Sequence, residues 1–441
     1  MFKDKKIFVL GLGKSGKSVA KLLAKDNHVL ITDVKCDNLD EVKELEKLGI
    51  NVIITKDQIS IFDDSYDCVV KNPGVKIDHP VVLMAKKFNI PVITELEVAY
   101  RYLPEVKIVG ITGSNGKTTT TTIAYEFLKK AGLPVHLAGN IGLPLCDQID
   151  DIKKGDVLVV EISSHQLVNL DKFKVDVAVL TNLYQVHLDF FGTYEKYKLN
   201  KLRIFNNQDE HSVAILNKGD VEVCELTKNL KARKEYFSSK GEADIYIDGN
   251  NIIYKNEKMV ELSDVRVKGM HNYENIMAAI LIAKEFNVSN GVIREVLNNF
   301  AGVEHRIEFV TKLNGREFYN DSKATNVDST ITALKSFDNE VVLILGGLDR
   351  GHSFDSLLPY LKHVKHIVCY GETKDRIKKF ADENHIDVTV TNNLEEATHA
   401  AYNISLEGDT ILLSPACASW DQYKSFEERG DEFKKVVSSL G

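Results

Sequence analysis

The sequence predicts an α/β protein of three domains, each built on an open, mostly parallel sheet covered by helices. Three observations carry this. Short apolar runs alternate with helical patterns along most of the chain. Glycine or small polar clusters close several of those runs, as the ligand edge of such a sheet requires. At 441 residues the chain is too long for one ordinary hydrophobic core. The expected boundaries are 1–95, 96–302 and 303–441.

The first domain opens with a strand at Lys6, then Gly11-x-Gly13-Lys14-Ser15-Gly16, then a helix through about Lys25. A second strand from His28 to Thr32 ends on Asp33, where the ribose of a bound nucleotide would be met. Asn72-Pro73-Gly74 closes a strand from Tyr66 to Val70. This is the outline of a Rossmann-like fold at half size. Two ligands stay open: a nucleotide-like molecule held by one small domain, or NAD, which would make the protein an NAD-dependent oxidoreductase.

The second domain opens on the most informative stretch. An apolar run from Ile108 to Ile111 reads as a buried strand, with Gly110, Gly113 and Gly116 at a spacing of three. Lys117-Thr118-Thr119 then opens a helix with threonine at each of 118–122. Glycine lets backbone N–H groups approach a phosphate, and the helix N-terminus adds positive potential. Lys117 is placed for the outer phosphates and Thr118 for Mg²⁺. Gly113, Ser114, Asn115 and Gly116 would form a P-loop cradle for ATP, although Ile111 stands where the strict spacing wants glycine. Asn140, Glu161, Ser163 and His187 fall at or after strand ends of the same sheet. Glu161 and His187 are candidate metal groups, or else a capping acid and a core histidine. A small antiparallel ribbon is expected over 244–265, and the helix from His271 to Phe286 carries Asn275 near its start.

The third domain shows strands at Glu317–Tyr319, Val341–Leu345, His366–Tyr370, Asp387–Val390 and Thr410–Leu413. Three end in polar or glycine clusters: Asn320 to Asn326, Gly346 to Gly351, and Ser414 to Trp420. Asp321 and Lys323 lie in the first, and Arg306 is either a phosphate clamp or a linker arginine. On the residues alone Lys201, one of several lysines between Tyr194 and Phe205, reads as solvent-facing.

The totals exclude several classes. With 56 basic and 64 acidic residues the net charge is −8, and no basic run offers a nucleic-acid surface. The six cysteines form no C-x-x-C pair, which disfavours zinc and a disulfide framework and suits a reducing, cytoplasmic setting. The longest apolar run, Ile276 to Ala283, is too short to span a membrane.

Four stretches together resemble the Mur ligase family: Gly110 to Thr119, Gly139-Asn140-Ile141-Gly142, Asn320 to Asn326 and Ser414 to Gly430. The resemblance implies a cytoplasmic, monomeric enzyme that binds neither nucleic acid nor membrane. It implies ATP-dependent addition of D-glutamate to UDP-N-acetylmuramoyl-L-alanine through an acyl phosphate; a sister enzyme adding another amino acid is the alternative. It also implies two Mg²⁺ ions held by Thr118, Glu161, His187 and a CO₂-derived carbamate on Lys201, which reverses the solvent-facing reading of that lysine. Asn275, Arg306 and Asp321 would join the ATP loop. Gly13, Lys14, Ser15, Gly16 and Asp33 would hold the UDP moiety, with Asn140 and Ser163 on the muramoyl-alanine part. Lys323, Thr325, Arg350, Ser419 and Phe426 would seat D-glutamate. Val34-Lys35 departs from the pattern expected near uracil.

Overall fold

The computed structural model describes residues 2–36, 38–267 and 269–441. The chain forms two compact units, Met1–Val260 with Glu274–Val296, and Glu261–Tyr273 with Leu297–Gly441. Three sheets are present.

The first sheet contains β1 (Lys6–Leu10), β2 (His28–Asp33), β3 (Asn51–Ile54), β4 (Cys68–Lys71) and β5 (Val92–Ile93), in the order β3-β2-β1-β4-β5. Its pairings are all parallel. Parallel strands need helical crossovers, which cover both faces, so β1 and β4 are almost continuously apolar and buried. No second mononucleotide half follows: the next strand opens a different sheet.

That sheet holds β6 (Lys107–Thr112), β7 (Val135–Gly139), β8 (Val157–Glu161), β9 (Val177–Leu180), β10 (Val213–Asn217) and β11 (Arg233–Ser238). The expected ribbon extends it as β12 (Ile245–Asp248), β13 (Asn251–Tyr254) and β14 (Glu257–Glu261). β12 joins β11 in parallel and β13 in antiparallel fashion. β6 lies between β8 and β9, parallel to both. The first two sheets share one unit partly through two buried acids. Glu97 accepts N–H bonds from Asp171, Lys172 and Phe173, and Glu95 accepts one from Cys146. Burial pushes the Glu95 carboxyl up to about 7.

The second unit carries β15 (Glu308–Leu313), β16 (Arg316–Asn320), β17 (Val341–Gly346), β18 (Val364–Tyr370), β19 (Val388–Val390) and β20 (Thr410–Leu413), in the order β15-β16-β20-β17-β18-β19. β15, not among the strands expected from the sequence, pairs antiparallel with β16. The turn between them is Asn314-Gly315, both at positive φ, a strong two-residue hairpin signal.

Candidate active site

The phosphate loop lies between β6 and the helix Lys117–Lys130. Its three glycines do different work. Gly110 is inside β6, where an added Cβ would meet Val175 Cγ1 at 2.9 Å, so it serves core packing and not the cradle. Gly113 has φ +152° and its Cβ would fall 1.9 Å from Thr181 Oγ1; Gly116 has φ +82° and would strike Asn275 Oδ1. Only glycine fits those two places.

The loop is held from outside. Ser114 N and Asn115 N donate to the backbone and side-chain oxygens of Asn182, at 3.0 and 2.9 Å. Ser114 Oγ lies 2.8 Å from Tyr197 Oη, and Thr181 Oγ1 donates to Asn115 O at 2.6 Å. Lys117 Nζ folds back onto Gly113 O and Ser114 O, at 3.0 and 2.9 Å. The first-turn N–H groups of Lys117, Thr118 and Thr119 precede any intrahelical acceptor, so they face the loop mouth. The threonine run is tolerable because Thr121 and Thr122 hydroxyls donate to the carbonyls of Lys117 and Thr118.

Glu161 ends β8 and is 1% exposed. Its Oε1 accepts from Asn140 Nδ2 at 2.7 Å; among the described residues Oε2 has no hydrogen-bond partner. A buried carboxylate oxygen left this way calls for a cation or an ordered donor. Thr118, 7% exposed, stands at the start of the adjoining helix. Lys201 is 1% exposed and donates to Thr112 Oγ1 at 2.9 Å and Gly113 O at 2.8 Å. Its solvent-facing reading is therefore wrong: the helix Tyr194–Lys201 turns its last residue under the loop. Burial, then the nearby Lys117 charge, push its amine well below the ordinary lysine range. Lys198, one turn earlier, is spent at 2.6 Å on Glu222 and 2.8 Å on Glu195. His187 precedes the short helix Leu188–Phe191 at φ +56°, and its ring meets that of His165 at 5.0 Å. Ser163 caps its helix in a reciprocal box with Gln166, a Ser-x-x-Gln signal legible in the sequence and not used there.

At the first sheet, Gly13 and Lys14 are exposed and Ser15 is half-buried. Asp33 Oδ2 accepts Leu12 N at 2.6 Å and Oδ1 accepts Val34 N at 2.7 Å, so this carboxylate shapes the glycine turn.

The second unit gathers its own set at the ends of β16, β17 and β20. Asp321 is buried; Oδ2 accepts Ser414 Oγ at 2.7 Å and Oδ1 accepts Ile307 N at 3.2 Å. Burial pushes its carboxyl up to about 7 against the hydrogen bond from Ser414 and the charge of Arg306. Arg306 itself is exposed. Lys323 Nζ stands 5.4 Å over the Phe426 ring, and exposed Arg350 lies 4.9 Å over Trp420, next to buried Ser419. Thr325 is half-buried, its N–H on Lys323 O at 2.9 Å. Arg429 stands out only in the structure. Fully buried, it donates to Ser322 Oγ, Ser322 O and Cys417 O at 2.9, 2.7 and 3.1 Å, tying the Asp321 loop to the Ser414–Gly430 segment.

Three family models match: Mur ligase MurD-like N-terminal domain over residues 5–94, Mur ligase middle domain over 111–283, and Mur ligase glutamate ligase domain over 305–417. The chain belongs to the Mur ligase family. It is 44% identical over 447 residues to the UDP-N-acetylmuramoylalanine–D-glutamate ligase of Geobacillus kaustophilus, covering 100% of this chain and 98% of that protein. The enzyme of that name from Bacillus cereus strain G9842 matches at 44% over 445 residues, with the same coverage. Solved Mur ligases share the fold. The UDP-N-acetylmuramate-alanine ligase MurC of Thermotoga maritima aligns with TM-score 0.60 at 19% identity, over 99% of this chain and 100% of that one. MurF of Acinetobacter baumannii aligns with TM-score 0.61 at 17% identity, over 99% and 93%. Mur ligases use ATP and Mg²⁺, and the orphaned Oε2 of Glu161 beside the phosphate loop suits a cation.

Proposed function

We propose that this Mur ligase joins D-glutamate to UDP-N-acetylmuramoyl-L-alanine in peptidoglycan precursor synthesis. The observation that carries the reading is the end-to-end 44% identity to relatives of that name. A carboxylate is a poor acyl donor at neutral pH. Attack of the substrate carboxylate on the γ-phosphorus of ATP, with ADP leaving, creates an acyl phosphate with a good leaving group. The D-glutamate amine then attacks the acyl carbon, the tetrahedral species collapses, and inorganic phosphate departs.

In this reading the N–H groups at the start of the helix Lys117–Lys130, with Lys117, offset charge on the phosphoryl oxygens. Asn275, packed against Gly116, fixes the loop; Arg306, and Asp321 through the loop that its carboxylate shapes, are assigned to ATP. Thr118, Glu161 and His187 would hold Mg²⁺, which when bound neutralises phosphoryl charge. Lys201 completes the donor set as a carbamate. Its desolvated amine is driven toward the neutral form; Nζ attacks CO₂, one N–C bond forms, a proton leaves, and a carboxylate replaces a cation. Asn140, which already positions Glu161, and Ser163 face the muramoyl-alanine part. The UDP moiety belongs to Gly13–Gly16 and Asp33, and D-glutamate to Lys323, Thr325, Arg350, Ser419 and Phe426. Domains 1–95, 96–302 and 303–441 thus take the UDP substrate, ATP and the amino acid. The enzyme works as a cytoplasmic monomer, and light scattering that returns more than the mass of one chain would overturn the second part. Among the described residues no helix is long and apolar enough to cross a membrane.

Phosphate release measured with UDP-N-acetylmuramoyl-L-alanine and D-glutamate, singly and together, tests the reading. Release requires both. Release that ignores D-glutamate, or that L-alanine, L-lysine or diaminopimelate supports equally, overturns it.

A further inference from the structure

The first sheet has a topological switch point. From β1 the chain runs through β2 to β3 on one side and returns to β4 and β5 on the other. Ligands of open parallel sheets seat outside the carboxyl ends of the strands at such a point. Two loops meet there: the glycine turn after β1 and the segment 72–76 after β4. They interlock, because a Cβ on Gly13 would stand 2.6 Å from Asn72 Nδ2 and one on Gly11 2.7 Å from Asn72 Cβ.

Lys71, the last residue of β4, is 0% exposed. Its Nζ donates to Val75 O at 2.7 Å and Asn72 O at 3.2 Å, and reaches Pro73 O at 3.5 Å. Among the described residues no carboxylate pairs with it. A buried cation without a counter-charge is costly unless an anion binds close by. The Asn72, Pro73 and Val75 carbonyls turn in on this ammonium, while Gly74 N–H donates to Asn72 Oδ1 at 3.4 Å and Val75 N–H to Asn72 O at 3.0 Å, so the loop closes around the charge. The field of that charge at the switch point favours an anion there. The same ammonium stands 5.8 Å over the Phe190 ring, which meets His165 at 4.3 Å, so the loop is also tied to the segment bearing His187.

We propose that Lys71 is a positioning residue for the diphosphate of the nucleotide-linked substrate, acting through loop 72–76 without touching the phosphates. The inference rests on the UDP-substrate reading above. Burial pushes Lys71 down to about 8, which leaves the ammonium predominant at neutral pH.

The test uses the full chain with UDP as probe, then all three substrates. Lys71→Met removes charge and donors while keeping the stem. Lys71→Gln keeps one donor without charge and serves if the Met variant does not fold. The UDP dissociation constant and the KM for the UDP-linked substrate rise about tenfold or more. The KM values for ATP and D-glutamate stay within about twofold, because the phosphate loop and the Asp321 loop belong to other sheets. A folded variant that binds UDP as the wild type does overturns the proposal. So does a parallel rise in all three KM values with a lowered melting temperature, which marks general loosening. A wild type that binds neither UDP nor the UDP-linked substrate overturns the functional reading along with it, whereas failure of the variants alone leaves that reading standing.

Discussion

Glu161 and Asp321 are both buried acids at the carboxyl edge of a parallel strand, on different sheets. Their surroundings differ. Asp321 has each oxygen occupied, by the Ser414 hydroxyl and the Ile307 amide. Glu161 has one oxygen held by Asn140 and the other orphaned. Asp33, on the first sheet, sides with Asp321: both its oxygens are used by backbone N–H groups. A carboxylate whose lone pairs are consumed internally shapes a loop; one left half-satisfied beside a phosphate loop is available to a cation. Position at a strand end finds the ligand edge, but only partnership tells which acid does chemistry there.

The largest effect is expected at the half-satisfied acid. Glu161→Gln keeps the shape and the Asn140 contact but removes the charge. Ligation falls by about 10²–10³, a loss of the size seen when one preorganised charge partner is removed. Mn²⁺ binding, followed by electron spin resonance as a stand-in for Mg²⁺, weakens with it. A variant that ligates at the wild-type rate would erase the distinction between the two acids. Lys201→Ala should follow closely, with about 10²-fold loss and partial restoration by short carboxylic acids that replace the carbamate. Lys198→Ala, whose ammonium is committed to Glu222 and Glu195, should change the rate by no more than about threefold. Equal losses at both lysines, without rescue, would sink the carbamate.

Asp33→Ala should act on one substrate only. It strands the Leu12 amide of the glycine turn, at about 1–3 kcal/mol. The KM for the UDP-linked substrate should rise by about tenfold with the KM for ATP unchanged, as initial-rate kinetics would show.

These contrasts divide what the chain disclosed from what it hid. The strand–glycine–helix order of the first two sheets was legible because each signal is local: an apolar run, small residues, a helical period. The hairpin of β15 and β16 was equally local, announced by Asn314-Gly315, and was overlooked. Lys201 was different. Its burial depends on Thr112 and Gly113, which stand nearly ninety positions earlier, and a lysine-rich helix carries no mark of which lysine turns inward. Resemblance, not periodicity, singled it out. Arg429 hides for the same reason: in Glu427-Glu428-Arg429-Gly430 it reads as part of a charged helix face, whereas its guanidinium lies under the Asp321 loop. Gly110 keeps step with Gly113 and Gly116 along the sequence, yet it stands inside β6, where its missing side chain admits Val175.

The smallest effect belongs to the fully partnered acid and is read through stability. Asp321 is raised from 3.8 to about 7 in the folded protein, chiefly by burial. The folded state therefore binds this proton more tightly than the unfolded chain between those values. Its contribution is complete below about pH 4 and is lost as pH rises through about 7. Asp321→Asn is neutral throughout; its Oδ1 can accept the Ile307 amide and its Nδ2 can donate to the Ser414 hydroxyl. At pH 8 the variant should melt higher than the wild type by about 2–4 °C, and the difference should shrink toward pH 5. The melting difference of Glu161→Gln should instead grow with added Mn²⁺, which the wild type binds and the variant holds weakly. If both amide variants traced the same curve, burial alone would account for the two acids, and the cation seat would have lost its distinguishing mark.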